Sequence, residues 1–400
     1  MNMRALLLLI LIAAAPLAVR AQEFSGVSGI AIDADSGKVL WSKDRDTPRY
    51  PASTTKIMTA LLMIEHCTPD EIITAPADIE NTKESSMHLK PFEQVSMQDM
   101  LYALMLRSAN DGCVAVALHI SGSVPAFAKL MNERAKELGC THTHFDNPNG
   151  LNDKNHTISA HDLALIAREA MKYPIFREVV KTHKHEIARS VNQSDLVMVS
   201  KNKWLLKDPT ADGIKTGYTV PAGHCYVGSA TRNHFRVITV IFKSQHWQED
   251  HKNLLDYAFA KYQAAEVAAA GISLGTGEVK NGTLPKVSLG LMESVTEVVR
   301  KDAATFQTRP EPIALTAPVR TGQRAGTLVI TDTDGFSRSV PLVALQDVAA
   351  QTFVGGVAKS TGGFMSYGFV GGTLFIGAAM MRRKARRMRF YGRSSTRRSI

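Results

Sequence analysis

The chain has few cysteines for its length, and they form no recognisable metal pattern. Only four occur in 400 residues, at Cys67, Cys113, Cys140 and Cys225, and their spacing fits no zinc or redox motif. A domain of this size folds without disulfides, and nothing in the sequence selects among the possible pairings. Cys113 lies in an apolar run, so we expect it to be a small buried residue.

Most of the chain also lacks an excess of basic residues, although the formal net charge is +10. Residues 382–400 carry nine lysines and arginines and no acid, which leaves +1 for everything before them. Charge confined to one end is typical of a membrane-side anchor rather than of a nucleic-acid surface. We therefore expect no nucleic-acid partner.

Two apolar runs near the ends of the chain indicate export and anchoring. Residues 1–21 combine a positive start at Arg4, an apolar run and a small-residue cleavage site at Ala21, which predicts a secretory signal peptide. Residues 364–381 are uncharged and precede the basic tail 382–400; as a helix they would reach roughly 27 Å, enough to cross a hydrocarbon core. Because basic residues stay inside, the tail is predicted to be cytoplasmic and the body extracytoplasmic, in the cell membrane. An interfacial helix or a buried helix is the alternative.

The remaining chain changes in composition near residue 262. In residues 22–262, strand-like runs at both ends enclose helical patterns, which predicts an α+β domain with one antiparallel sheet and packed helices. Residues 263–350 are rich in β-branched residues and turn signals and predict a small all-β domain, whose first residues, 264–270, look like a linker. A glycine-rich linker, 351–363, would lead to the membrane segment.

Three short patterns in a fixed order indicate an active-serine enzyme. S-x-x-K, S-x-N and K-T-G occur together in enzymes that act on penicillins or D-alanyl peptides, and here they stand at residues 53–56, 108–110 and 215–217. The chain also spells S-x-x-K at 200–203 and S-x-N at 190–192, but only Ser53 opens a long apolar helical pattern. Each pattern alone suits a helix cap or a solvated residue, whereas the ordered set favours the enzyme.

The first pattern supplies a nucleophile and its base. Ser53 and Lys56 lie three residues apart, which places them on one face of a helix. Lysine accepts a proton from serine only when it is neutral, so its pKa must be lowered. Burial and a second cation both lower a lysine pKa, and we expect Lys215 to be that cation.

The second pattern lies between two helical patterns, where a loop tip could enter the cleft beside Ser53. The hydroxyl of Ser108 could pass a proton to the leaving amine, and the amide of Asn110 could hold the base or the substrate.

The third pattern lies on a predicted strand. Lys215 and Thr216 suit a free carboxylate, the mark of a substrate cut at its C-terminus, and Gly217 would let a substrate backbone come close. The backbone amides of Ser53 and Tyr218 could stabilise the oxyanion, at roughly 3 kcal/mol per donor.

Flanking segments extend the match. Residues 49–52 before the nucleophile, 111–113 after the second pattern, 148–151 (PNGL) and 212–214 before the third all resemble the D-alanyl-D-alanine carboxypeptidases, the low-molecular-mass penicillin-binding proteins. The resemblance is strong over residues 25–262 and covers the β domain and anchor in kind only. It implies a β-lactamase/transpeptidase-like fold, an acyl-Ser53 intermediate on peptidoglycan stem peptides, inhibition by β-lactam antibiotics, and no metal or organic cofactor. Relatives often carry an arginine for the substrate carboxylate near Trp247, so carboxylate binding is expected to rest on Lys215 and Thr216.

Other readings make separate predictions. A class A β-lactamase needs a glutamate in an E-x-x-L-N pattern, and none lies between Asn110 and Lys215. A DD-endopeptidase or transpeptidase acting on cross-links stays open, because the same site could serve it. A non-catalytic wall-binding protein would not need the intact set. The H-x-H pairs at 142–144 and 183–185 are read as surface histidines rather than metal ligands. The oligomeric state is not determined by the sequence.

Overall fold

The structure is a computed structural model and describes residues 24–82, 84–303 and 305–351. The predicted signal peptide 1–21, the linker from residue 352 onward, the membrane segment 364–381 and the basic tail 382–400 lie outside the described residues.

The described chain alternates short strands and helices before it becomes all-β. The strands are β1 (Ser28–Asp33), β2 (Val39–Lys43), β3 (Ile72–Thr74), β4 (Gln94–Ser96), β5 (Thr143–His144), β6 (Thr157–Ile158), β7 (Lys184–Glu186), β8 (Val197–Val199), β9 (Ala211–Thr219), β10 (Gly223–Arg232), β11 (Phe235–Ser244), β12 (Tyr262–Ala268), β13 (Gly275–Lys280), β14 (Lys286–Gly290), β15 (Val295–Arg300), β16 (Phe306–Pro312), β17 (Leu315–Thr316), β18 (Arg324–Asp332) and β19 (Ser337–Ala344). The helices are α1 (Lys56–His66), α2 (Met97–Tyr102), α3 (Asn110–Ser121), α4 (Val124–Glu137), α5 (Ala160–Ala170), α6 (Pro174–Lys181) and α7 (Trp247–Lys261).

A five-stranded antiparallel sheet joins the two ends of the first domain. Its order is β2-β1-β11-β10-β9, so the N-terminal hairpin pairs with strands that arrive some 200 residues later. Side chains of β11 alternate between two cores, because successive residues of a strand face opposite sides: Ile238 and Val240 join one core, and Val237 and Ile241 the other. The predicted α+β domain with an antiparallel sheet is confirmed.

Helices cover both faces of this sheet. On one face α7 packs against β10 and β11, and on the other α5 packs against β1 and β11 with α1 beside it. Ser159 caps α5, since its Oγ accepts a hydrogen bond from the Asp162 amide at 3.1 Å. Residues 56–63 of α1 are all buried, so the helix that begins at the predicted base runs through the interior.

The second part of the chain is all-β, as predicted. Its main sheet has the order β16-β18-β19-β14-β13-β17, and β12 pairs separately with β15. The linker predicted at 264–270 is wrong, because residues 262–268 form β12, which begins directly after α7. Alanine has a low strand propensity, but cross-strand pairing with β15 decides the structure here.

A buried lysine links the β domain to the first domain. Lys38, in the turn between β1 and β2, is only 3% exposed. Its ammonium donates to the carboxylates of Asp332 and Asp334, at 2.8 Å for Asp334, and to the Val298 carbonyl at 3.2 Å.

All four cysteines are unpaired, and Cys113 is buried as predicted.

Among the described residues, no single helix is long and apolar enough to cross a membrane. The pair α3 and α4, bent by 82°, is long and apolar enough when taken together, by length and composition alone.

Candidate active site

Ser53 lies in a 3₁₀ turn, Ala52–Thr55, that leads directly into α1. The turn is closed by its own threonines: Thr54 Oγ1 donates to the Pro51 carbonyl at 2.7 Å, and Thr55 Oγ1 to the Ala52 carbonyl at 2.9 Å. Ala52 has a left-handed φ of 48°, a conformation that costs a non-glycine residue about 1 kcal/mol or more and is often found at functional sites. The residue before the predicted nucleophile is therefore held in a strained conformation by its surroundings.

Gly150 makes that conformation possible. A Cβ at residue 150 would lie 1.8 Å from the Ala52 carbonyl oxygen, so only glycine fits, and its φ of 86° also favours glycine. The PNGL segment found in the sequence thus supports the nucleophile turn from behind.

Lys56 is completely buried and donates to three acceptors. Its Nζ lies 3.1 Å from Ser53 Oγ, 2.7 Å from Asn110 Oδ1 and 2.7 Å from the Asn149 carbonyl oxygen. The three contacts point the ammonium at the serine hydroxyl, as a base for Ser53 requires.

Burial lowers the pKa of Lys56 to about 8, and the positive charge of Lys201 contributes to the decrease. The sequence pointed to Lys215 as the second cation. The cation that lowers the pKa of Lys56 is instead Lys201, while the pKa of Lys215 itself lies well below its usual value, first because of burial and then because of Lys56. A lysine with a pKa near 8 is partly neutral at neutral pH, so Lys56 can accept a proton.

The S-x-N pattern forms the predicted tip between two helices. A π-helical turn ends at Arg107, α3 begins at Asn110, and Ser108 between them has left-handed φ and ψ of 69° and 38°. Ser108 lines the cleft, whereas Asn110 is buried and its side chain accepts from Lys56. The structure therefore brings Ser53, Lys56 and the S-x-N pair together.

The K-T-G pattern lies on β9, at the edge of the five-stranded sheet. Thr216, Gly217 and Tyr218 line the cleft, but Lys215 is 1% exposed and lies behind its wall, donating to the Thr216 carbonyl at 3.0 Å.

Gly217 has a structural reason that the sequence did not show. A Cβ there would lie 3.0 Å from the Ser53 amide nitrogen and 3.1 Å from the Pro51 carbonyl oxygen. The close approach is thus made by the nucleophile turn itself, and the role of Gly217 toward a substrate stays a prediction.

The cleft in front of Ser53 has a volume of about 460 Å³. Besides the motif residues, it is lined by Ser85, Lys201, Lys203, His224, Cys225, Trp247 and Gln248. Tyr218 is 57% exposed and its ring lies 4.7 Å from that of His224. A larger groove of about 540 Å³ runs along α4, but none of the motif residues lines it.

The cations of the cleft were missed by the sequence reasoning. Lys201 and Lys203 belong to the second S-x-x-K spelling at 200–203, which is no nucleophile motif but borders the cleft. Lys201 Nζ donates to Ser85 Oγ at 2.8 Å, and the carbonyl of Ser85 accepts from the Asn110 amide at 2.8 Å. The only signal in the sequence was the run of lysines itself.

His156 is a second residue that the motifs did not reveal. Its Nδ1 accepts from the Asp146 amide at 3.0 Å, which assigns the ring proton to Nε2. Nε2 then donates to Thr55 Oγ1 at 2.9 Å, the same hydroxyl that holds the Ala52 carbonyl. Burial lowers the pKa of His156 to about 4, so the neutral ring supports the nucleophile turn at neutral pH.

The fold and the site define an active-serine enzyme of the penicillin-binding class. The antiparallel sheet carries the K-T-G motif beside the serine–lysine pair, and the S-x-N motif lies at the same place. The family model described as D-alanyl-D-alanine carboxypeptidase matches residues 15–246, and the model described as penicillin-binding protein 5, C-terminal domain, matches residues 262–350. The chain belongs to the D-alanyl-D-alanine carboxypeptidase family.

Individual relatives agree with this assignment. The chain is 31% identical over 353 residues to D-alanyl-D-alanine carboxypeptidase DacF of Bacillus subtilis, covering 85% of this chain and 90% of the relative. Penicillin-binding protein 5 of Haemophilus influenzae superposes with a TM-score of 0.68 at 28% identity, over 82% of this chain and 98% of that one. The Streptomyces K15 DD-transpeptidase superposes with a TM-score of 0.57 at 30% identity, over 60% of this chain and 98% of that one.

Proposed function

We propose that this protein is a serine D-alanyl-D-alanine carboxypeptidase that removes the terminal D-alanine from peptidoglycan pentapeptide stems during cell-wall synthesis. The observation that carries the proposal is the contact of Lys56 Nζ with Ser53 Oγ at 3.1 Å, beside a cleft that Ser53, Ser108, Thr216 and Gly217 line.

Acylation begins at Ser53. Neutral Lys56 takes the hydroxyl proton as Oγ attacks the carbonyl carbon of the penultimate D-alanine, and the amides of Ser53 and Tyr218 stabilise the oxyanion. When the intermediate collapses, the C–N bond breaks, and the proton passes from Lys56 through the Ser108 hydroxyl to the leaving amine of D-alanine. Asn110 and the Asn149 carbonyl keep the ammonium in place between the two proton transfers.

Deacylation returns the enzyme to its starting state. A water molecule gives a proton to neutral Lys56 and attacks the ester carbonyl, and the Ser53 oxygen recovers the proton as the shortened stem leaves. Penicillins enter by the same route, since Ser53 opens the lactam ring and becomes acylated.

Cations near the cleft account for recognition of a terminal carboxylate. Thr216 offers a hydroxyl, and Lys201 and Lys203 add charged donors to the cleft wall. Lys215 acts from behind this wall through its contact with the Thr216 carbonyl. Trp247 fills part of the cleft near the first turn of α7, so the lysines take over the role that an arginine has in relatives.

Export and anchoring are part of the proposal. The signal-like residues 1–21 and the apolar segment 364–381 with its basic tail support a catalytic domain on the extracytoplasmic side of the cell membrane. The β domain would then hold the active site away from the membrane. Deleting residues 364–400 should release active protein from membranes, and continued membrane attachment of that variant would contradict the anchor.

The direct test is release of D-alanine from a pentapeptide stem. Wild type should release it, whereas Ser53→Ala should not, and Ser200→Ala, which alters the second S-x-x-K spelling, should retain wild-type activity. Penicillin labelling without D-alanine release would instead favour the alternative, a DD-endopeptidase or transpeptidase acting on cross-links. The likeness to a DD-transpeptidase supports that alternative, and an added acceptor amine would reveal it through a new peptide bond in the product.

A further inference from the structure

Three potential metal ligands converge at the opposite end of α1 from the nucleophile turn. Cys67 directly follows this helix as its C-cap, with its amide donating to the Met63 carbonyl at 3.0 Å. Glu71 lies just before β3, and His119 lies in the last turn of α3. The thiol, a carboxylate oxygen and an imidazole nitrogen all lie within 4.8 Å of one another.

Two of the three groups are already held in position. His119 Nε2 and Glu71 Oε1 are 2.7 Å apart, and the other carboxylate oxygen accepts from the Thr68 amide at 3.0 Å. A contact between partly exposed groups such as these contributes little to stability. The adjacent thiol of Cys67 has no part in this contact and provides a third potential metal ligand.

The combination of donors matches one class of metal ion. Thiolate, imidazole and carboxylate are the ligands of zinc, with bond lengths of about 2.0–2.3 Å that place the donor atoms roughly 3.5 Å apart in a tetrahedron. Shifts of about 1 Å in these side chains would reach that arrangement from the observed one. Calcium and magnesium prefer oxygen ligands and do not suit a thiol.

We propose that Cys67, Glu71 and His119 form a zinc site, with Cys67 Sγ, one Glu71 oxygen and His119 Nε2 as ligands and a water molecule as the fourth. Zinc displaces the thiol proton to solvent and replaces the hydrogen bond between His119 and Glu71. The H-x-H pairs at 142–144 and 183–185 do not belong to such a three-ligand group among the described residues.

The position of the site indicates a structural role. It would tie the C-terminal ends of α1 and α3, two helices that begin at Lys56 and Asn110. A bound ion at this end would stabilise the helix pair that carries the base and its amide partner, without entering the chemistry, because α1 spans roughly 16 Å between the two ends.

Cobalt(II) provides the test, because a Co²⁺–thiolate bond gives a near-ultraviolet charge-transfer band and tetrahedral Co²⁺ gives intense visible bands. The full-length protein, stripped with a chelator and kept reduced, should bind one Co²⁺ with such a spectrum, and Zn²⁺ should abolish it. Cys67→Ser should lose the thiolate band, and His119→Gln should bind far more weakly. Cys140→Ser, at another partly buried free cysteine, is the matched control and should retain the wild-type spectrum.

Stability is the second measurement. At about 100 times its Kd, Zn²⁺ should raise the Tm of wild type and Cys140→Ser by roughly 5 °C but leave that of Cys67→Ser unchanged. Penicillin labelling of each variant verifies that it is folded. A missing thiolate band in the wild type, or one that persists in Cys67→Ser, would overturn the proposal, as would an equal Tm shift in Cys67→Ser.

Discussion

The pH dependence of acylation follows from the environment of Lys56. Its pKa of about 8 means that the neutral, proton-accepting form makes up about 9% of the enzyme at pH 7, about half at pH 8 and about 90% at pH 9. The second-order rate constant for acylation by a penicillin, whose carboxylate stays ionised throughout, should therefore rise about tenfold between pH 7 and pH 9. Below pH 7 it should fall about tenfold per pH unit.

Removing one cation should displace this profile in a known direction. Because the charge of Lys201 lowers the pKa of Lys56, Lys201→Met should move the midpoint to higher pH. Lys203→Met is the matched control, since it removes a lysine that borders the same cleft but should leave the midpoint where it is. Either variant could change the maximal acylation rate constant at high pH through penicillin binding, so the pH midpoint of the profile is the quantity to compare.

The assay is stopped-flow acylation by a fluorescent penicillin from pH 6 to pH 10, with the rate constant measured at low penicillin concentration so that it reports the free enzyme. A wild-type rate that is flat between pH 7 and pH 9 would refute the assignment of Lys56 as a base with a lowered pKa. A midpoint unaffected by Lys201→Met would refute the electrostatic explanation.

Three further predictions follow from packing and protonation. Gly150→Ala should slow penicillin acylation about a hundredfold, because its Cβ would lie 1.8 Å from the Ala52 carbonyl oxygen. Gly139→Ala is the control and should leave acylation unchanged, since Gly139 has a similar φ of 84° and no atom lies within 4 Å of its Cβ position. Equal acylation rates in the two variants would contradict the role of Gly150. The pKa of His156 is lowered from an ordinary 6.5 to about 4, so the unfolded chain binds a proton at a higher pH than the folded chain does. The unfolding free energy should therefore fall by about 3 kcal/mol from this residue as the pH falls from 6.5 to 4. In urea unfolding, His156→Gln should lose about 3 kcal/mol less than the wild type over this range, and an identical pH dependence would contradict the prediction. Lys38→Ala leaves two carboxylates without their buried partner and should lower the unfolding free energy by about 3 kcal/mol, while a change under 1 kcal/mol would show that the contact is not stabilising.

The sequence predicted the parts of the site that depend on local pattern. The S-x-x-K spacing brings Ser53 and Lys56 to one face, and it does so here across a 3₁₀ turn that leads into α1. The S-x-N pair falls at a helix junction that hydrophobic periodicity reveals. The antiparallel sheet followed from strand patterns at both ends of the domain. These features rest on residues close in the chain.

The parts that were missed depend on contacts between distant segments. Nothing near His156 in the sequence indicates that its ring would support Thr55, about 100 residues earlier. The sequence analysis did not take the segment 200–203 as the nucleophile motif and gave it no other role, yet Lys201 and Lys203 border the cleft because the segment lies between β8 and β9. The alanine-rich residues 264–268 form a strand only because β15 pairs with them.

Mass spectrometry of the penicillin adduct tests the central claim most directly. The full-length protein should gain the mass of one penicillin, and peptide mapping should place it on Ser53. Ser53→Ala should gain none, and Ser200→Ala should be acylated like the wild type. An adduct on any residue other than Ser53, or a folded wild-type protein that gains no adduct, would contradict the account.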